Sequence, residues 1–228
     1  APAAMPREIT AYSNPLVKRV RTLRDKKHRR DEGLFLAEGL RILTEAREAG
    51  HLPRYLFYTR ASADHALVRP LVAACEGAGG EAIETNADIL SKLSGKDNPG
   101  AVLGVYDELP TALDRLDRNT APLWLVAERL RDPGNLGTIL RTADATGAGG
   151  VILLDDCVDP FSVEAVRASM GAIFTVPFAR ARWNEFRDWL RSGPGQLVGL
   201  SLGTQHDYRT PAYQAPAFLL TGNEAQGM

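Results

Sequence analysis

Three short segments hold the residues with chemistry to offer. The first spans residues 128–146, ERLRDPGNLGTILRTADAT. An apolar strand ends there, Pro133 and Gly134 make a turn, and a helix follows that Asn135 is placed to cap. Leu136, Ile139, Leu140 and Ala143 form the core face of that helix, which leaves Arg141 to reach a wet site or an anion. A helix start combined with an arginine suits a phosphate; the same arginine also suits a structural ion pair. The second segment spans residues 159–178, DPFSVEAVRASMGAIFTVPF. A helix there carries Arg167 and Ser169 and breaks at Gly171, while Met170 and Ile173 read as core. The third, LLTGNEAQGM at residues 219–228, is a strand running directly into Gly222, Asn223 and Glu224, with Gly227 beyond. Glycines at a strand's carboxyl end let backbone amides approach a ligand closely, and they also make ordinary turns.

A fourth feature is charge. Residues 7–30 hold nine basic residues, including Lys18, Arg21, Lys26, Lys27, Arg29 and Arg30, against Glu8 and Asp25, a segment charge of +7. The whole chain is at −1, so the remainder is at −8. Charge concentrated in this way is what binding to a phosphate backbone requires, because each neutralised phosphate releases counterions. A solvated basic helix face has the same composition.

Other chemistries lack their residues. Gly134 and Gly137 do not have the GxGxxG spacing, and Gly95-Lys96 is followed by Asp97 rather than Ser or Thr, so there is no P-loop. His28, His51, His65 and His206 stand alone, and Cys75 and Cys157 form no CxxC, which argues against a zinc site and reads as buried thiols. No stretch approaches the ~18 consecutive apolar residues of a membrane span, and the N-terminus has no basic-then-apolar leader pattern. With 228 residues and 44% apolar content, a soluble cytoplasmic α/β protein is expected.

The elements that must position these segments divide in two. In residues 1–108 a helix starts at Pro15 with Ser13 or Asn14 as its cap, and a second helix over 38–49 stops at Gly50. Strands are expected at 55–58 and 101–106, with a helix at 67–75. Residues 109–122 are polar and read as a linker. From 123 to 228 strands at 123–127, 151–154, 174–178, 197–202 and 217–221 alternate with helices at 135–146, 162–170 and 183–191. Continuous apolar strands alternating with helices imply a mainly parallel sheet, whose ligands bind beyond the strands' carboxyl ends.

The three segments, in this order and separation, resemble the SpoU/TrmH family of RNA ribose 2′-O-methyltransferases. Asn135, Gly137 and Arg141 match its first motif, Arg167, Ser169, Met170 and Gly171 its second, and Gly222, Asn223, Glu224 and Gly227 the start of its third. The run SNPLVKRVRTLRDKKHRRDEGLFLAEGLRILTEA is similar to the substrate-binding domain that precedes the catalytic domain in many members. The resemblance implies a parallel-sheet domain with a trefoil knot, bound S-adenosylmethionine, a homodimer through the C-terminal domain, and RNA, ribosomal rather than transfer, as partner. No metal or membrane is implied.

By position, Asn135 and Arg141 become the catalytic pair. Leu202, Gly203, Leu220, Thr221, Gly222, Asn223, Glu224 and Gly227 become the cofactor site, with Leu202 and Gly203 against the adenosine. A guanidinium stays protonated in proteins, so Arg141 suits a grip on phosphate better than a general base. The family's third motif continues past the position of Met228 with a strand, a Ser-Leu-Asn type segment and a final helix, so either a tail follows these residues or the form is truncated. A non-catalytic RNA-binding module without a complete cofactor site is the alternative.

Overall fold

The computed structural model describes residues 5–201 and 203–222. It divides into two compact units. One comprises the chain up to Glu108 together with Phe161–Phe174; the other comprises Leu109–Pro160 and the chain from Thr175 onward.

The first unit is built on strands β1 (Arg7–Glu8), β2 (Leu34–Glu38), β3 (Tyr55–Thr59), β4 (Glu81–Thr85) and β5 (Val102–Asp107). Their order is β1-β4-β3-β5-β2; β4 is parallel to β1 and β3, and β5 is antiparallel to β3 and β2. Helices α1 (Pro15–Thr22), α2 (Lys26–Glu32), α3 (Leu40–Glu48), α4 (Val68–Gly77) and α5 (Ala87–Ser94) accompany them. The Asn14 side chain accepts from the Leu16 N–H at 2.9 Å and Pro15 opens α1, as the sequence implied. Val17, Val20 and Leu23 then bury against Leu34, Leu36, Phe57, Ile83 and Leu90. Asp25 caps α2 by accepting from the Lys27 N–H at 2.8 Å, and Gly33 closes it at φ 65°. The sequence reading did not identify β1, β2, β4, α2 or α5.

The remaining elements are β6 (Leu123–Glu128), α6 (Pro133–Thr146), β7 (Val151–Leu154), α7 (Val163–Ser169), α8 (Ala172–Thr175), β8 (Phe178–Ala181), α9 (Trp183–Arg191), β9 (Gln196–Gly199) and β10 (Ala217–Thr221). The five strands form an entirely parallel sheet in the order β8-β7-β6-β10-β9. Trp124, Val126, Ile152, Leu154, Phe186, Phe218 and Leu220 make its core. Within residues 109–122 two 3₁₀ turns form, Leu113–Arg115 and Arg118–Thr120.

Three expectations are corrected. Residues 174–178 are not a strand: Ala172–Thr175 is helical and β8 begins at Phe178. A short apolar run such as Ala172-Ile173-Phe174 has no period that separates buried helix from strand. The helix expected over 135–146 starts at Pro133 and is capped by Asp132, whose side chain accepts from the Asn135 N–H at 2.8 Å. The strand expected at 197–202 ends at Gly199. The expected knot falls outside the described residues.

Candidate active site

In the second sheet every strand presents its carboxyl end to the same edge. Thr221 of β10 is level with Ala127 of β6, and Glu128 is level with Leu154 of β7. From β6 the chain runs to β7 and β8 on one side, while β10 and β9 lie on the other. The crevice between the ends of β6 and β10 is therefore a switch point, where open α/β sheets bind ligands.

The segment after β6 is held from several directions. Arg129 adopts φ 53°, a conformation uncommon outside glycine. The Leu130 N–H donates to Cys157 Sγ at 3.3 Å, and the Leu130 carbonyl accepts from the Val158 N–H at 2.7 Å. Cys157 Sγ also donates to the Leu154 carbonyl at 3.3 Å. This thiol joins the loops after β6 and β7, and its burial pushes its pKa up. Asp155, at φ 58°, accepts from the Trp183 N–H at 3.0 Å and so starts α9. The sequence reading missed Arg129 and Asp155. Left-handed backbone at ordinary residues leaves no mark in residue type, and such strain clusters at functional loops.

Helix α6 leaves this loop with Leu136, Gly137, Leu140 and Ala143 inward. Asn135, Thr138 and Arg141 lie along its exposed arc. The Arg141 Nη2 donates to Thr138 Oγ1 at 3.3 Å, and Thr138 Oγ1 donates to the Gly134 carbonyl at 3.0 Å. Asn135 is not the helix cap, because Asp132 performs that task; its side chain sits exposed in the first turn. The structure thus brings Asn135 and Arg141 together on one helix beside the switch point.

On the other side of the crevice, Leu220 is buried and Thr221 and Gly222 are half-buried. The Leu220 carbonyl accepts from the Leu200 N–H at 3.2 Å, just past the end of β9. A cavity of about 610 Å³ opens there, lined among others by Leu200, Ser201, Thr204, Asp207 and Tyr213. Gly203 lies between two lining residues, and its N–H donates to Ser201 Oγ at 3.2 Å. The Arg209 guanidinium holds the Asp207 carboxyl below the ordinary carboxylate range through a 2.7 Å ion pair. Leu202, Asn223, Glu224 and Gly227, also expected at this site, lie outside the described residues. A cavity of this size with apolar walls and a few hydroxyl and carboxylate groups fits a nucleoside-type cofactor such as S-adenosylmethionine.

The second motif belongs to the first unit. Ser162 caps α7 by accepting from the Ala165 N–H at 3.1 Å. Ser169 is fully buried, and its hydroxyl donates to the Val166 carbonyl at 2.8 Å, so it is structural. Met170, expected as core, is 40% exposed at φ 51°. Gly171 follows at φ 98°, and a Cβ there would lie 2.1 Å from Glu45 Oε2 of α3, so both backbone and space require glycine. In the basic segment Lys18, Arg21, Lys26, Lys27 and Arg30 are exposed. Arg29, expected to face RNA with them, is instead buried, and its Nη1 donates to the carbonyls of Leu23 at 3.0 Å and Arg24 at 2.9 Å. Both carbonyls lie in the turn between α1 and α2, and Arg29 supplies their donors.

The SpoU rRNA methylase family model matches residues 122–228, and the MRM3-like substrate binding domain matches residues 14–104. The chain is 33% identical to an uncharacterized tRNA/rRNA methyltransferase of Synechocystis, over 96% of this chain and 79% of that protein. It is 30% identical to the 23S rRNA (uridine(2479)-2′-O)-methyltransferase of Streptomyces viridochromogenes, over 100% of this chain and 80% of that one. It spans 43% of the mitochondrial rRNA methyltransferase 3 of Xenopus tropicalis, matching at 33% identity over 78% of this chain. Among solved structures, the AdoMet-bound rRNA methyltransferase from Sinorhizobium meliloti superposes with a TM-score of 0.89 at 39% identity, covering 97% of this chain and 83% of that one. Motifs, parallel-sheet fold and near-full-length relatives agree: the chain belongs to the SpoU family of S-adenosylmethionine-dependent RNA 2′-O-methyltransferases.

Proposed function

We propose that this protein methylates a ribose 2′-hydroxyl of ribosomal RNA, with Asn135 and Arg141 at the reacting centre. One observation carries the reading. The exposed arc of α6, the glycine end of β10 and the cavity at the end of β9 share one edge of the parallel sheet. Bound S-adenosylmethionine supplies an electrophilic methyl on a cationic sulfonium, so its departure needs no acid. Leu200, Ser201, Gly203, Leu220, Thr221 and Gly222, with Leu202, Asn223, Glu224 and Gly227 of the same segments, hold it. Arg141 grips the phosphate beside the target ribose and polarises the 2′-oxygen, whose proton passes to water. Asn135 orients the ribose. Alignment of this kind is worth several kcal/mol of barrier.

Residues 1–108 serve as the RNA-binding domain through Lys18, Arg21, Lys26, Lys27 and Arg30, with Phe161–Phe174 packed into the same unit, and the remainder of residues 123–228 serves as the catalytic domain. Leu197, an exposed apolar side chain on the edge strand β9, supports a homodimer through that domain. Two free thiols, Cys75 and Cys157, accord with a cytoplasmic setting.

The test is incubation of the purified protein with radiolabelled S-adenosylmethionine and deproteinised ribosomal RNA, followed by alkaline hydrolysis. Label retained in alkali-resistant dinucleotides is expected, since a 2′-O-methyl blocks cleavage. RNA binding with neither cofactor binding nor methyl transfer would leave a non-catalytic RNA-binding module and overturn the reading.

A further inference from the structure

The turn from α1 to α2 is built around a buried cation. Arg29 is 3% exposed, and its guanidinium is bonded to the carbonyls of Leu23 and Arg24. These carbonyls belong to the turn that follows α1, and without the buried guanidinium their oxygens would face an incoming anion unpaired. An open cleft of about 390 Å³ lies at this turn, lined by Arg21, Thr22, Arg24, Asp25 and His28. The one carboxylate among them, Asp25, is engaged as the cap of α2, accepting from the Lys27 N–H. The nearby Glu32 carboxylate is paired with Arg19 at 2.5 Å.

Arg24 is held in place as well. A Cβ on Gly95 would come within 2.4 Å of Arg24 Nη2 and 2.5 Å of its Cζ, so the guanidinium lies against the Gly95 backbone. Gly95 is the left-handed residue that ends α5, at φ 74°. The side chain therefore rests at a helix C-terminus, where a cation is favoured. A fixed planar fork is the group suited to a phosphate.

We propose that this cleft is a preformed seat for a single phosphate of the RNA backbone. Arg21 and Arg24 grip it, Thr22 and His28 stand at its rim, and Arg29 acts from beneath as a positioning residue. The proposal rests on the RNA-binding reading of the first unit and refines it. One geometrically fixed contact is set among cations on long exposed side chains.

The test compares Arg24→Gln with the charge-matched Lys26→Gln in the full chain. Binding of a fluorescent ribosomal RNA fragment is titrated from low to moderate potassium chloride. Arg24→Gln should weaken binding about tenfold more than Lys26→Gln and lower the salt slope by about one. Arg24→Lys should fail to restore affinity, because it keeps the charge and loses the fork. Arg29→Met tests the positioning role, with its fold checked by circular dichroism; weakened RNA binding by a folded variant is expected. Equal losses in Arg24→Gln and Lys26→Gln, with normal binding by the unaltered protein, would overturn the seat and leave the RNA reading intact. Absence of RNA binding by the unaltered protein would overturn both.

Discussion

The guanidinium of Arg118 lies 3.9 Å from the centroid of the Trp189 ring and donates to the carbonyls of Leu190 at 2.9 Å and Pro194 at 3.1 Å. It also bonds the Trp189 carbonyl itself. A residue of the polar connecting segment thereby closes the C-terminal end of α9, where carbonyls lack helical partners. Arg118 is 7% exposed, and burial pulls its pKa down from the ordinary arginine value.

Arg118→Ala should therefore cost about 3 kcal/mol, the scale of charge-assisted bonds lost together with carbonyls left unpaired. Arg118→Lys should recover less than half, lacking the planar fork. Urea unfolding measures both. A loss within ~0.5 kcal/mol for the alanine variant, the range of ordinary surface changes, would mean the anchor is unimportant.

Asp132, not Asn135, caps α6, which leaves Asn135 with only the reacting role proposed for it. Asp132→Ala should lower stability by about 1 kcal/mol, the usual cost of a lost helix cap. Asn135→Ala should melt normally and lose about 100-fold in turnover, as a misaligned reacting group does. Full turnover by the Asn135 variant would remove it from the reacting centre.

Arg141 offers a choice between phosphate grip and proton acceptance. Arg141→Lys should lose activity by a similar factor at every pH tested, since the lysine remains a cation without the bidentate fork. A pH–rate profile of this variant decides the matter. Activity climbing steeply with pH would assign the proton to this position instead.

Cys75 gives an alkaline signature. It is fully buried, and burial pushes its thiol up to about 11. The unfolded chain ionises at the ordinary thiol value, so above it the unfolded state binds fewer protons than the native state. Stability then falls as pH rises toward 11, by about 1.4 kcal/mol for each pH unit in that window. Below the ordinary thiol value the contribution is complete. Denaturation between about pH 9 and 11 should show a steeper decline for the unaltered protein than for Cys75→Ala. Parallel slopes would contradict the assignment.

In the second unit β6, β7 and β10 were readable because they are continuous apolar runs, all four residues of Val151–Leu154 being buried, whereas β8 (FARA) and β9 (QLVG) are not and were misplaced. The first unit was harder for a physical reason visible in α2. Its sequence, KKHRRDE, has no apolar stripe, and the residue it buries is Arg29. β4, EAIET, carries glutamates that mask a buried strand. At the site, the spacing of Asn135 and Arg141 survived into the structure, since helix periodicity is set by apolar positions that the sequence displays. The cap at Asp132 and the left-handed backbone at Arg129 and Asp155 did not show, because both depend on turn geometry rather than on pattern.

The assignment of Phe161–Phe174 to the first unit has a consequence for how the chain is made. Phe35 packs 4.9 Å from Phe161 and 5.7 Å from Phe174, and Tyr106 packs 4.8 Å from Phe174, ring centre to ring centre. A ribosome delivers Phe35 and Tyr106 well before either partner, with all of Leu109–Pro160 emerging in between. The nascent N-terminal sheet therefore waits with an aromatic face bare. A gene split at Glu108 would make that wait permanent, so the substrate-binding part does not lift out of this protein as a clean N-terminal cassette.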